Sequence, residues 1–173
     1  MASDNSNTAG LLILLALAAA GVYLLSSGSI GGDGMFCSCW MASGSCYVPT
    51  LNQIGAQYGL PNNLLPAVAF QESSFDPSAV NASSGAVGMF QLLPQYYPGA
   101  GQSWQTDAAT AAQALAGYYQ QFGNWQDALA AYNWGPGNLA AVNACSYACL
   151  PSETQNYVTS ITAATGVTGP LVT

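Results

Sequence analysis

The stretch Leu64-Leu65-Pro66-Ala67-Val68-Ala69-Phe70-Gln71-Glu72-Ser73 decides the fold of this chain. Leu64, Leu65, Val68, Ala69 and Phe70 recur at helical spacing and form one apolar face that leads into a carboxylate. Pro66 falls in the first turn, where a missing N–H does little harm. Upstream, Thr50 to Tyr58 reads as another helix, with Thr50 as N-cap and Gly59 beyond its end. Downstream, Asp76 to Gly88 is rich in Ser, Asn, Pro and Gly and reads as a loop. A short helix is expected over Met89 to Leu93, stopped by Pro94. The Ala-rich segment from Asp107 to Phe122, with Asp107 as N-cap, is the strongest helix in the chain. Gln126 to Asn133, Asn138 to Cys145 and Ser152 to Thr162 follow as shorter helices. Gly135-Pro136-Gly137 reads as a turn, and Glu153 as a first-turn residue beside a Ser152 cap. No alternating run is long enough for a substantial sheet, so the expected fold is all-α.

Composition narrows the chemistry. Among 173 residues there is no Lys, no Arg and no His, against seven Asp and Glu, for a net charge of −7. Nucleic-acid binding through a basic surface is excluded, because phosphate recognition rests on cations. Ser-His and Cys-His dyads are impossible, and no His is present to ligate a catalytic zinc. What is left is the chemistry of carboxylates, hydroxyls and thiols on a neutral or weakly charged substrate, a description that polysaccharides fit.

The chain divides into four parts. Residues 1–26 hold a polar tail and an unbroken uncharged run, Ala9 to Leu25. At ~1.5 Å per residue that run spans roughly 25 Å, near the lower limit for a membrane-crossing helix. A cleaved signal peptide is the competing reading, but no basic segment precedes the run and no clear cleavage motif follows. The expectation is therefore an N-terminal transmembrane anchor, binding a lipid bilayer through residues 9–25. Orientation cannot be read, since the positive-inside rule has nothing to count. Residues 27–48 form a Gly-, Ser- and Cys-rich linker, 49–165 the folded domain and 166–173 a tail. Cys37, Cys39 and Cys46 lie in the linker, Cys145 and Cys149 far downstream. A thiol-only zinc site fits their spacing poorly. Bridges between the early cluster and the later pair are expected, with one Cys unpaired and connectivity open, in an oxidising compartment. The alternative is buried reduced thiols in the cytoplasm.

Three separated segments carry a more specific pattern. Gln71-Glu72-Ser73 is followed by Phe75-Asp76-Pro77 and by Gly85-Ala86-Val87-Gly88-Met89-Phe90-Gln91-Leu92-Leu93-Pro94. Then come Ala130-Ala131-Tyr132-Asn133-Trp134-Gly135-Pro136-Gly137, and Pro151-Ser152-Glu153-Thr154 with Tyr157-Val158. In this order and spacing the chain resembles the lytic transglycosylase domain of the goose-type-lysozyme-like kind, from about Leu51 to Ile161. The resemblance implies a helical lysozyme-like domain with a glycan groove, acting on the MurNAc–GlcNAc bond of peptidoglycan with no cofactor and no metal. It implies Glu72 as catalytic acid and base, with Ser73, Gln91, Tyr132, Asn133 and Tyr157 around the substrate. It also implies a 1,6-anhydro-muramic acid product. Asn81, Ser83 and Ser84 are alternatives for one substrate-binding position in the loop. Departures from the family pattern include Ala111 and Ala112, where an Asn-Ile pair is usual, and a displaced Gly117.

The residues agree with this reading. A leaving glycosidic oxygen needs a proton, and at neutral pH the donor must be a carboxyl with a raised pKa. Phe70 and Phe75 flank Glu72 and no cation exists to hold its ionised form, so desolvation should raise it. Asp76 is assigned to the turn at Pro77, leaving one catalytic carboxylate where ordinary glycosidases use two. Of the tryptophans, Trp104 and Trp125 are expected in the core, whereas Trp134 is the candidate for stacking on sugar. The alternatives are a hydrolytic lysozyme on the same fold and a catalytically inactive glycan-binding or structural envelope or virion protein. Small anchored enzymes of the resembled kind occur with virion membranes and with secretion, pilus and conjugation systems. Virion or secretion-apparatus proteins are therefore the expected partners, and the expected location is extracytoplasmic or in a virion membrane.

Overall fold

The computed structural model describes residues 46–142 and 147–167. Ala9 to Leu25, Cys37, Cys39 and Cys145 lie outside the described residues, so the anchor expectation falls there too. Among the described residues no helix is long and apolar enough to cross a membrane. Cys46 and Cys149 are disulfide-bonded.

Helix α1 spans Val48–Gln57 and α2 spans Leu64–Ser73. Thr50 is not the N-cap of α1. Pro49 has the φ of a first helical turn, so the helix starts ahead of Thr50, after Tyr47. The α1–α2 connection is pinned by Asn52, whose Oδ1 accepts from the Asn63 backbone N–H at 2.7 Å and whose Nδ2 donates to Asn63 Oδ1 at 3.1 Å. That clamp holds Asn63 left-handed, at φ 66°, directly before α2 begins.

Helix α3 spans Trp104–Phe122, α4 Trp125–Trp134, α5 Pro136–Ala141 and α6 Ser152–Thr165, with a 3-10 turn at Tyr147–Cys149. Ser103, not Asp107, caps α3, its hydroxyl accepting from the Thr106 N–H. Asn124 caps α4 in the same way through Asp127 N–H at 2.8 Å. The expected Gly135-Pro136-Gly137 turn is shorter than read. Only Gly135 breaks the chain, at φ 95°, and Pro136 already opens α5, which therefore ends sooner than expected. Nor does Ser152 cap α6; Pro151 stands at that position without a side-chain bond.

Helix α4 is the centre of the packing, touching α3, α5 and α6, while α2 rests on α6 and α1 lies across α2 and α3. Ala108, Ala111 and Ala112 of α3 and Ala128, Ala130 and Ala131 of α4 are fully buried. Their small side chains let the two helix backbones approach closely, which gives Ala111 and Ala112 a packing reason. Leu64, Leu65, Val68, Leu115, Leu129, Val158 and Ile161 fill the rest of the core. Phe70 departs from its expected place, being 44% exposed, because it sits on the outer side of α2 against Phe75 rather than over the carboxyl.

Between α2 and α3 the chain forms no helix over Met89 to Leu93. Gly88 at φ 74° and Gln91 at φ 47° turn the backbone, and Val87 and Leu92 exchange N–H···O bonds of 2.9 and 3.0 Å. Among the described residues β structure is limited to isolated antiparallel bridges, Val80 with Val87 and Val87 with Leu92. Asp76 and Asn81 each fold back on the chain, accepting from Ser78 and from Ser83 and Ser84.

Gly88 is the tightest point of this loop, for a Cβ there would stand 2.5 Å from Asp107 Oδ2. Gly123, also left-handed, has nothing within 4 Å. Gly123→Ala should therefore cost only the left-handed conformation, about 1–2 kcal/mol. Gly88→Ala should cost at least ~2 kcal/mol more, since Asp107 must also move. Denaturant unfolding of the two variants checks this, and equal losses would mean that Asp107 yields freely.

Candidate active site

Glu72 stands in the last turn of α2, just before Ser74 and Phe75 take positive φ values of 56° and 66°. Tyr157, from the middle of α6 and 1% exposed, donates its hydroxyl to Glu72 Oε1 at 2.8 Å. That bond leaves Oε2 to carry the acid proton. Burial pushes the carboxyl up, the Tyr157 hydrogen bond opposes the shift, and the Glu153 charge adds to it, with the result at about 8. The cause is the one expected from a cation-free chain, but its source is the helix packing rather than Phe70.

Around this carboxyl, three residues expected at the substrate hold one loop. Gln91 donates its backbone N–H and its Nε2 to Gly88 O, at 3.2 and 3.0 Å. Ser73 Oγ donates to Met89 O at 2.9 Å and also accepts from the Asp76 N–H at 3.0 Å. Tyr132 OH donates to Phe90 O at 3.0 Å. Of three consecutive carbonyls, Gly88 O is thus held within the loop, while Met89 O and Phe90 O are held by α2 and α4, which fixes the loop against those helices. Ser73 and Tyr132 are positioning residues in this arrangement.

Asn133 is buried, and its Oδ1 accepts from Thr154 Oγ1 at 2.8 Å. With Oδ1 engaged by Thr154, Nδ2 is left as the donor of the carboxamide. Thr154 was not among the expected site residues. It lies one helical turn before Tyr157, so a single face of α6 orients both Asn133 and Glu72. Only its place in the Glu153-Thr154 pair pointed to it. Tyr97 was also missed; with Tyr118 it bears on Tyr132, whose phenol is pushed well up by burial and then by Glu72, Tyr97, Tyr118 and Asp107.

The other carboxylates have separate work. Asp76 is exposed and closes the turn to Ser78. Asp127 is buried and bound to Asn124 Nδ2 at 2.6 Å. Asp107 is buried and accepts from Gly101 N–H at 3.1 and 3.2 Å, its pKa raised by burial despite that bond. Glu153 bears on Glu72 through charge alone. Among the described residues no cluster of His, Cys, Asp or Glu could hold a metal ion. Asn81, Ser83 and Ser84 hydrogen-bond mainly to one another, and Trp125 stacks on Tyr119 at 4.3 Å. Trp104 meets Tyr47 edge-on at 5.0 Å, and Trp134 is partly buried at the end of α4.

Residues 49–154 match the family described as the transglycosylase SLT domain. Among solved structures, the chain is similar to the X-ray structure of an inactive glutamate-to-glutamine mutant of the lytic transglycosylase Slt from Pseudomonas aeruginosa. Identity is 22% and the TM-score 0.58, over 72% of this chain and 25% of that one. This chain therefore spans about a quarter of that relative's length. The likeness is one of fold, mainly helical and lysozyme-like.

The raised carboxyl has a consequence for stability. Between its ordinary value of 4.5 and about 8, native Glu72 keeps a proton that the unfolded chain has lost. Stability is then fully present below the lower value and declines as pH rises through the upper one. Asp107 acts in the same direction. Glu72→Gln, an uncharged near-isostere, should match the wild type at pH 4 and exceed it at pH 9 by on the order of a few kcal/mol. Thermal unfolding at the two pH values tests this, and a constant difference between the proteins would contradict it.

Proposed function

This chain belongs to the transglycosylase SLT domain family, which its residues 49–154 match, and on that premise we propose that it cuts peptidoglycan glycan strands. The bond cleaved is the β-1,4 link between MurNAc and GlcNAc, and Glu72 is the catalytic residue. The observation that carries this reading is the Tyr157–Glu72 hydrogen bond of 2.8 Å on a carboxyl raised to about 8. Such a group is protonated at neutral pH and acidic enough to give its proton up.

In the first half of the reaction Glu72 protonates the leaving glycosidic oxygen as the C1–O bond breaks. As a carboxylate it then takes the proton of the C6 hydroxyl on the same MurNAc, and that oxygen closes on C1. One proton leaves Glu72 and one returns, no water is consumed, and the product is 1,6-anhydro-MurNAc. Two features support the single-carboxylate form over a two-carboxylate hydrolysis. Asp76 is bound into its own turn, and Glu153 is a first-turn helix residue without a bond to Glu72. The Tyr157 hydroxyl supports the carboxylate between the two halves, since no cation exists to do so. Asn133, its Oδ1 taken by Thr154, offers Nδ2 to an acetamido or hydroxyl oxygen of the strand.

The proposed setting is extracytoplasmic or a virion membrane, with Ala9 to Leu25 as anchor, lipid as one partner and virion or secretion proteins as others. The uncharged run and the Gly- and Ser-rich segment after it support that placement. Bridges joining the two cysteine clusters belong to the same proposal.

Glu72→Gln should lower turnover by at least the ~10² to 10⁴-fold typical of a general acid, since the same group is also the base. Asp76→Asn should lose far less, and wild-type activity should fall as pH rises through about 8, where the acid form disappears. Product ends should resist borohydride reduction. Reducible muramic acid ends would instead identify water as the attacking group and the protein as a lysozyme. For the anchor, the full-length chain should stay with membranes through carbonate washing, and its release would refute the placement.

A further inference from the structure

Acid unfolds many proteins through charge. As pH falls, carboxylates that pair with Lys, Arg or His are protonated, and the cations left behind repel one another. A chain of this length with the usual quarter of its residues charged would hold on the order of 20 positive charges in strong acid. Here there is no Lys, no Arg and no His, so only the amino terminus can become positive. The net charge starts at −7 at pH 7, crosses zero at a pI of about 4.1, and ends in strong acid at that single terminal group. Acid therefore removes repulsion from this chain, where it creates repulsion in others.

Nor does protonation break an ion pair among the described residues. Asp76 accepts from Ser78, Asp127 from Asn124, and Asp107 from the Gly101 N–H, all neutral donors. Glu72 accepts from Tyr157 of α6 and faces Tyr132 of α4, and the charge bearing on it, that of Glu153, has its own sign. When protonated, its carbonyl oxygen still accepts from Tyr157. Asp107 meets Gly88 and Gly101 from the loop and Tyr132 from α4. Burial raises Glu72, Asp107 and Glu153, so the fold takes up these protons more readily than the unfolded chain does. What such groups contribute to stability is complete in acid and shrinks only as pH rises. The rest of the core is held by burial and by alanine packing of α3 on α4, neither of which titrates.

We propose that this chain is an enzyme of acidic surroundings, keeping its native fold and the arrangement around Glu72 in strong acid because nearly nothing in it becomes positively charged. The catalytic half rests on the reading of the protein as an enzyme of glycan strands. A glycosidase with two carboxylates needs one of them ionised and loses activity as acid protonates it. Glu72 enters the proposed reaction protonated and leaves it protonated, so acid takes nothing from the cycle.

The test follows the full-length chain, in a non-ionic detergent, by near-ultraviolet circular dichroism and thermal unfolding at pH 7 and pH 2. The aromatic signal should persist at pH 2, with Tm no lower than at pH 7 and unmoved by added salt, since there is no repulsion to screen. Gln53→Lys, Gln95→Lys, Gln120→Lys and Asn156→Lys together, all at exposed positions, supply the missing cations. That variant should match the wild type at pH 7 but lose on the order of 5 °C in Tm at pH 2, and salt should restore it. Loss of the wild-type signal at pH 2, or the same acid response in both proteins, would overturn the proposal. On peptide-free glycan strands, wild-type kcat should stay within about threefold from pH 7 to pH 4. A fall of tenfold or more would mean that a second group must be ionised, and would overturn the acid-working enzyme while leaving glycan cleavage established. A chain that keeps its fold at pH 2 but cuts no glycan at any pH would overturn the proposed function and uphold the acid-resistant fold.

Discussion

The hydrogen bond from Tyr157 to Glu72 is the interaction on which the site depends, because the chain has no cationic side chain that could take its place. In a protein with Lys or Arg, a buried carboxylate can be held ionised by a partner charge. Here desolvation acts with only a phenol opposing it, and Glu153 adds repulsion. The result is a carboxyl kept as an acid near neutral pH, whose ionised form still has one good donor. The packing of α2 on α6 supplies that balance, which the proposed mechanism requires of an acid that also serves as base.

The same absence of cations shapes the rest of the molecule. Core stability comes from burial and from close helix approach over alanine rather than from ion pairs. Polar order comes from side chains that hydrogen-bond to backbone. Ser73, Gln91 and Tyr132 each hold a carbonyl of Gly88, Met89 or Phe90. Asp107 approaches Gly88 and accepts from Gly101. A loop without regular secondary structure is thereby fixed from several sides, as a preorganised site requires. Ser73, Gln91 and Tyr132, which the motifs present as expected substrate contacts, hydrogen-bond to this loop's backbone in the fold.

Some of this was open to reading in the residues alone. Helical spacing in Leu64 to Ser73 and in the Ala-rich segment before Phe122 decided the helical fold, because burial of one face imposes that period whatever the partner. The absence of Lys, Arg and His excluded whole classes of chemistry and left carboxylates, hydroxyls and thiols, since composition does not depend on the fold; the resemblance then singled out Glu72. The motif order grouped Gln91, Tyr132, Asn133 and Tyr157 as one expected site. Helix starts were legible only in part: Ser103 and Pro49 won over Asp107 and Thr50, because capping geometry and proline's φ act one turn earlier than the apolar pattern shows.

Tertiary structure alone decided what each of those residues does. Phe70 and Phe75 flank Glu72 in the chain, yet Phe70 faces outward, because a helix sends neighbours only two positions apart to different sides. Thr154 and Tyr157 reach Asn133 and Glu72 across 21 and 85 residues of sequence, pairings that no local pattern encodes. Tyr97 comes opposite α3 only because the loop after Leu93 returns there. A sequence names the groups available and the faces they share along one element. Which groups meet across elements, and so which carboxyl is dry and which amide is oriented, follows from packing.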